Sequence, residues 1–437
     1  MARLRPNWTK IILLTFIVAF SICIKAIRIN DRYTFEWDQS NDAMNVMSMV
    51  WDKKPVLIGP RVANDNGFFT GPYFYYFLLP FYLAVGGHPA AGAIASVLIG
   101  GIVPFLTYFI GEKLYDKRVA LLAAIITASS VSIVSWNAMF ITPFSLIGYY
   151  LCHQLLKSNK LFIHASAFAG FVASFHLVTA PIMGYVALTQ LLTKKKATVR
   201  QLLWGLIVLA LFFTPIAIFD LRHQFLNLNK LLIFIGGQSA DRTYPTWYFM
   251  QTFWRSLVLS GYVQEKIIIL IAFCYAIYKQ KDFQSKIITS LWILLPILAL
   301  SQYKGNIPEY YYGMANALIP LFLAKLFVDK LTIWIIIPVI GLLVYSQFII
   351  VLNDKPFVRL RDKLNVVSYI VNQKEFPVFN VSYDLPLGEN TGYQYIFKYF
   401  KHEPFSGPEG HLFSISLTSK ANEKFVYTSG PLGVIRR

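Results

Sequence analysis

Residues 67–87 read GFFTGPYFYYFLLPFYLAVGG. The stretch is uncharged and as long as a membrane span of about 20 residues, but Gly71-Pro72 and Pro80 break a helical ladder. Its reading sets the side of everything after it. Working outward, eleven other apolar segments recur at roughly 10–27, 90–111, 119–136, 141–156, 161–178, 180–193, 201–219, 264–278, 285–301, 311–328 and 331–351. If 67–87 does not cross, the loops on the inner side are the N-terminus, 112–118, 157–160, 194–200, 279–286 and 325–330. Those loops hold 17 Lys and Arg against 4 Asp and Glu, and the rest of the chain holds 23 against 18. If 67–87 crosses, the Lys194-Lys195-Lys196 run faces outward, against the positive-inside rule. The charges therefore predict eleven spans, with 67–87 a half-inserted or membrane-parallel hairpin.

Composition agrees. Of 437 residues, 56% are hydrophobic and 14% charged, and mean hydropathy is +0.51. A soluble protein carries about 25% charged residues, so a soluble enzyme and a disordered chain are both excluded. The net charge of +18 has three possible sources: nucleic-acid binding, anionic lipid, or topology. Its concentration in short inner loops assigns most of it to topology, and no nucleic-acid partner is expected. Arg3, Arg5 and Lys10 precede the apolar residues 11–24, and no small-x-small cleavage site follows. The first segment is therefore predicted to be an uncleaved span with a cytoplasmic N-terminus. Cys23, Cys152 and Cys274 all sit in apolar runs and read as small buried hydrophobes.

The expected fold is an all-α polytopic membrane protein of about 11 transmembrane helices, with membrane-parallel helices in the first outer loop. Residues 1–354 form its transmembrane domain and 355–437 a small C-terminal α/β extracytoplasmic domain. In that tail, 357–375 reads as an amphipathic helix, 378–383 as a strand, 393–400 as a short helix, and 412–417 and 424–427 as strands. The predicted location is the plasma membrane, with the C-terminus outside.

Candidate chemistry gathers on the outer side, above all in the loop 28–89. Phe35-Glu36-Trp37-Asp38-Gln39-Ser40-Asn41-Asp42-Ala43 opens a helix with Met44, Met47, Val50 and Trp51 as its apolar face. Asp38 and Asp42 are four apart and share a face. Two carboxylates at an apolar boundary suit general-base work or cation binding, since a low dielectric raises proton affinity. The plainer alternative is a capping Asp38 beside a solvated Asp42. Arg61, between two glycine-containing turns, can grip a phosphate or merely anchor in headgroups. Tyr75 and its aromatic neighbours can stack on a sugar or form an interfacial belt. Trp136 with Asn137 offers a stacking plane beside an amide. His176 reads either as a site residue or as a satisfied histidine. Two further outer stretches mix cations with acidic or aromatic residues: Asp220, Arg222 and His223, and the run from Gln302 through Lys304 and Glu309 to Tyr311. A divalent cation stays open, since one or two carboxylates do not define a site. There is no P-loop, G-x-G-x-x-G, H-E-x-x-H, EF-hand or G-x-S-x-G motif.

Together these residues resemble the polytopic GT-C glycosyltransferases, which include protein O-mannosyltransferases and the aminoarabinose transferases of lipid A. The loop is similar to bacterial members that read D-Q-x-x-D-A, L-I-G-P and G-P-x-x-Y-Y. Here those are Asp38, Gln39, Asp42, Ala43; Leu57, Ile58, Gly59, Pro60; and Gly71, Pro72, Tyr75, Tyr76. Trp136-Asn137 matches a Trp-Asn-Pro element, with Ala138 in place of the proline. Glu309-Tyr310-Tyr311-Tyr312 stands where a late span often begins His-Tyr-Tyr or His-Tyr-Phe, and it leads to Pro320. The resemblance implies a sugar donor linked to polyprenyl phosphate, used on the outer face, and a glycan, lipid or protein acceptor. It also implies Asp38 as the base in an inverting displacement. Arg61, Arg222 and Lys304, in falling order, are the candidates to neutralise the leaving phosphate. Rival readings are a transporter or flippase of lipid-linked sugars and an inactive glycan-binding protein of the same fold. The scarcity of ionisable residues in mid-span disfavours the transporter.

Overall fold

A computed structural model describes residues 8–62, 67–133, 135–236, 245, 247–259, 263–303, 306–405, 407, 410–419 and 424–437. Every apolar segment predicted to span is helical. In chain order the helices are Trp8–Ala26, Ala91–Leu114, Lys117–Ser129, Ile141–Lys157, Phe162–Phe175, Pro181–Leu192, Val199–Leu211 with Thr214–Arg222, Val263–Tyr278, Phe283–Ser301, Ile319–Lys330 and Ile333–Asn353. Among the described residues, four helices are long and apolar enough to cross a membrane: Trp8–Ala26, Ala91–Leu114, Phe283–Ser301 and Ile333–Asn353. Two bent pairs raise that to six, if each pair is one span: Val199–Leu211 with Thr214–Arg222, bent 56°, and Glu309–Asn316 with Ile319–Lys330, bent 46°. Pro215 and Pro320 open the second member of each pair, where proline suits a first turn but cannot continue the helix before it. The segment predicted at 119–136 is shorter than expected. Its helix stops at Ser129, whose hydroxyl turns back to the Ile126 carbonyl, so Trp136 lies in a connection rather than in a span.

Lipid tails give apolar helices little reason to associate, so close approach and buried hydrogen bonds must hold the bundle. Helix Phe162–Phe175 lies against Val199–Leu211 at Gly170, where a Cβ would come within 2.4 Å of the Leu209 carbonyl oxygen. Trp292 donates from Nε1 to Ser145 Oγ at 2.9 Å and stacks on Tyr185. Ser145 in turn donates to the Met314 carbonyl at 2.7 Å. These bonds join helix Ile141–Lys157 to the later helices through fully buried groups.

The hairpin region carries a helix at Tyr73–Ala84 with Pro80 inside. Its 12 residues rise about 18 Å, well short of a hydrocarbon core of about 30 Å. Phe74 and Phe77 wedge it onto Phe175 and Phe140. Before it, Gly59–Val62 pairs with Phe68–Thr70 in a short antiparallel arm.

The tail forms helix Leu360–Val371, strand β1 (Phe379–Asp384), helix Tyr393–Tyr399, and strands β2 (His411–Leu417), β3 (Tyr427–Ser429) and β4 (Leu432–Arg436). The sheet order is β1-β2-β4-β3, with β1 parallel to β2 and the other pairs antiparallel. Strand β4 is an element the sequence reading did not anticipate. Its Gly433-Val434-Ile435 lies almost at the chain end, where no turn signal follows to delimit it.

Candidate active site

The site is built on helix Trp37–Trp51. Glu36, not Asp38, is its N-cap, and the Gln39 side chain accepts the Glu36 N–H at 3.0 Å. The capping reading of Asp38 is thereby corrected: its carboxylate lies inside the first turn, free of cap duty. The buried face is also rotated from the one predicted. Gln39, Ser40, Asp42, Ala43, Val46 and Met47 face inward, while Val50 and Trp51 are exposed. The helix turns polar residues inward because the hairpin helix Tyr73–Ala84, against which it packs, presents Tyr75 and Tyr82 there.

Asp38, Asn41, Asp42 and Asn45 follow one another along this helix at helical spacing. Asn45 Nδ2 donates to the Asn41 carbonyl at 2.8 Å and to Tyr75 Oη at 3.4 Å. Asp42 is only 4% exposed, and its Oδ2 has no hydrogen-bond partner. Asp42 lies one turn further along the helix than Asp38, more deeply buried than the solvated alternative would have it. Burial, reinforced by the neighbouring Asp38 charge, holds the Asp42 carboxyl well above the usual range. Asp38 stands at the rim, open to solvent on one side. Desolvation on its inner side, with the Glu36 charge adding to it, also raises Asp38. Among the described residues neither carboxylate forms an ion pair.

Tyr75 and Tyr310 both lie within electrostatic reach of Asp38. Tyr310, in the short turn Glu309–Tyr312, gathers the aromatic residues predicted from separate stretches. Trp136 meets it edge-on at 6.2 Å and His176 at 6.1 Å. Asn137 donates to the Phe175 carbonyl at 3.4 Å, beside His176. His176 is buried, and its Nδ1 accepts the Val178 N–H at 3.1 Å, so it caps a turn as well as packing on Tyr310. Tyr311 lies 5.0 Å from Tyr310 and 6.3 Å from Tyr303, whose ring meets Phe234 and, beyond it, Phe68. This aromatic file leads from Asp38 to the arm carrying Arg61. The Arg61 guanidinium covers the Phe69 ring at 4.9 Å. Asn227 clamps the Phe69 backbone on both sides, at 2.6 and 3.2 Å, and Asp220 holds the Asn227 N–H.

Asp38, Asp42, Tyr75, Trp136, His176 and Tyr311 thus share one region, and Asn137 and Arg61 border it. Arg222 is exposed at the end of Thr214–Arg222, and Glu309 is exposed at the start of its turn. Neither is brought to Asp38 by a described contact. Lys304 lies outside the described residues. Asn45 and Tyr310 were not singled out from sequence, although Asn45 stands seven residues after Asp38, two turns along the same face. Among the described residues no group of three or more His, Cys, Asp or Glu gathers.

No family model matches the chain, and no curated protein matches it either. Solved structures do. ArnT from Cupriavidus metallidurans bound to undecaprenyl phosphate superposes with a TM-score of 0.67 at 12% identity, over 99% of this chain and 98% of that one. The apo Archaeoglobus fulgidus oligosaccharyltransferase gives 0.54 at 13% identity, over 92% of this chain and 62% of that one. The same enzyme tethered to an acceptor peptide containing the NVT sequon gives 0.52 at 14% identity, over 92% and 61%. The chain therefore shares the fold of these solved structures.

Proposed function

We propose that the protein is an integral-membrane glycosyltransferase. It moves a sugar from a polyprenyl-phosphate donor to an acceptor hydroxyl or amide on the outer face of the membrane. The observation that carries this reading is the pairing of Asp38 and Asp42 on one helix, in unequal environments. Two acids whose environments push their proton affinities apart divide their labour. Asp42, the more deeply buried of the two, holds its proton the harder. The charge rests on Asp38, at the open rim, where a raised affinity makes a better base.

In the reaction the acceptor loses its proton to Asp38 as its oxygen or nitrogen bonds to the anomeric carbon from the face opposite the phosphate. The bond from that carbon to the phosphate oxygen breaks, and its electron pair leaves with polyprenyl phosphate. The configuration inverts. Arg61 neutralises the charge that builds on the phosphate. Trp136, Tyr310 and Tyr75 hold the sugar and exclude water. Two carboxylates and a substrate phosphate are enough to hold a divalent cation that keeps waters among its ligands; no step is routed through one. ArnT bound to undecaprenyl phosphate supports the donor class, and the oligosaccharyltransferase tethered to a peptide supports a peptide among the acceptor classes. Residues 355–437 and the C-terminus lie on the same outer side.

The test is Asp38→Asn in the purified full chain, assayed for release of polyprenyl phosphate from candidate polyprenyl-phosphate sugars. The variant loses about 10²–10⁴ in kcat, the usual worth of a general base. Unchanged turnover would remove Asp38 from the role.

A further inference from the structure

Lys363 is completely buried, at 0% exposure, on helix Leu360–Val371. A cation in such a place is costly unless its charge is answered by hydrogen bonds. Its Nζ donates to the Phe35 carbonyl at 2.9 Å and to the Thr391 carbonyl at 2.9 Å, and lies 5.2 Å from the Tyr393 ring centroid. Its two acidic neighbours are Glu36, from the segment entering the site helix, and Glu389, from the loop before Thr391. Asp362, next to it in sequence, is held by Arg359 at 2.9 Å instead.

Phe35 immediately precedes Glu36, the N-cap of the helix whose first turn contains Asp38. The same few residues receive the other contacts from the tail. Leu360 N–H donates to the Tyr33 carbonyl at 2.8 Å. Asp31 pairs with Arg361 at 2.9 Å and with Arg359 at 3.6 Å. Gly392, at φ 90°, sits so close to Phe35 that a Cβ would fall 2.2 Å from its carbonyl oxygen. Tyr395 Oη donates to the Gly87 carbonyl at 2.7 Å, and its ring meets Trp51 at the far end of the helix. A buried cation that spends two donors on carbonyls from either side of one seam holds the seam, rather than merely filling space.

We propose that Lys363 is a positioning residue for Asp38. By tying the Phe35 carbonyl to the Thr391 loop, it fixes the first turn of helix Trp37–Trp51 and so the direction of the Asp38 carboxylate. Residues 355–437 thereby become part of the catalytic apparatus. The proposal rests on the reading of Asp38 as the base.

The test uses the full chain in lipid nanodiscs, as wild type, Lys363→Met, Lys363→Arg and Asp38→Asn. Amide hydrogen exchange is followed over residues 33–42. Turnover is followed as release of undecaprenyl phosphate, with the undecaprenyl-phosphate sugar that the wild type turns over fastest. In Lys363→Met, exchange over 33–42 rises roughly tenfold, as the loss of a charge-assisted hydrogen bond dictates, and exchange in the apolar helices stays unchanged. Its kcat falls by about the same factor while KM for the donor holds. Lys363→Arg restores part of both. Unchanged exchange over 33–42 in Lys363→Met overturns the proposal, as does a rise in KM alone. If Asp38→Asn turns over normally while Lys363→Met still opens 33–42, the anchor stands and the assignment of the base fails.

Discussion

Asp42→Asn should make the protein more resistant to unfolding as pH rises, by an amount that grows with pH. Asp42 is 4% exposed, its Oδ2 is unpartnered, and Asp38 stands one turn away. Its folded-state proton affinity is therefore well above that of the unfolded chain. A raised carboxyl favours the folded state while it keeps its proton, so its contribution is fully present below about pH 4. It is lost as pH climbs toward the folded-state value, at about 1.4 kcal/mol per pH unit. Asparagine preserves the volume and has no proton to lose. Whatever its amide costs in that wall is independent of pH. Asp38 titrates in both proteins and meets no charge at position 42 while Asp42 keeps its proton, so over that range its contribution cancels. The gap in unfolding free energy between Asp42→Asn and wild type thus widens by about 1.4 kcal/mol per pH unit from about pH 4 up to the folded-state value of Asp42, and is flat beyond it. Denaturant unfolding of both proteins in one detergent, at pH 4, 5, 6 and 7, reads the gap directly. Parallel curves would refute the claim that Asp42 is buried and neutral.

Three further predictions follow from the same geometry. Gly392→Ala places a Cβ 2.2 Å from the Phe35 carbonyl at a backbone of φ 90°, so it lowers stability by about 1–3 kcal/mol, seen as a reduced melting temperature of the purified protein. If Arg61, whose guanidinium covers Phe69, takes the proposed phosphate role, Arg61→Ala raises KM for a polyprenyl-phosphate donor about tenfold, and Arg61→Lys recovers little, because an ammonium cannot grip phosphate in a bidentate fashion; steady-state kinetics decide it. Tyr310→Ala removes the ring that meets both Trp136 and His176 and weakens donor binding by about 1 kcal/mol, whereas Tyr310→Phe keeps most of it; titration with undecaprenyl phosphate separates the two.

The apolar segments were legible because each is a run of mostly apolar residues with few charges, and each holds a helix. Their ends were less so. Ser129 closes one helix early by bonding back to Ile126, and Pro215 and Pro320 divide two apolar runs that composition shows as continuous. The helix at Trp37–Trp51 was expected, but its cap was not. Asp is a favoured cap residue and pointed to Asp38, whereas the Gln39 bond to the Glu36 N–H makes Glu36 the cap. Its inward face was misjudged because Val50 and Trp51 are apolar yet stay exposed, with Trp51 under Lys398 and beside Tyr395. Asp38, Asp42 and Tyr75 could be joined from sequence by helical spacing and motif. The meeting of Trp136, His176 and Tyr310 could not, since they come from three distant connections and their contact is purely tertiary. Lys363 carried no local signal at all: in the charged strip Arg359-Leu360-Arg361-Asp362-Lys363 it reads as a solvated cation.

The most direct measurement is the fate of a polyprenyl-phosphate sugar in the purified full chain and in Asp38→Asn, with product stereochemistry read by NMR. The account predicts transfer with inversion at the anomeric carbon and release of polyprenyl phosphate, slowed about 10²–10⁴-fold in Asp38→Asn. Transfer with retention, or equal rates in the two proteins, would contradict it.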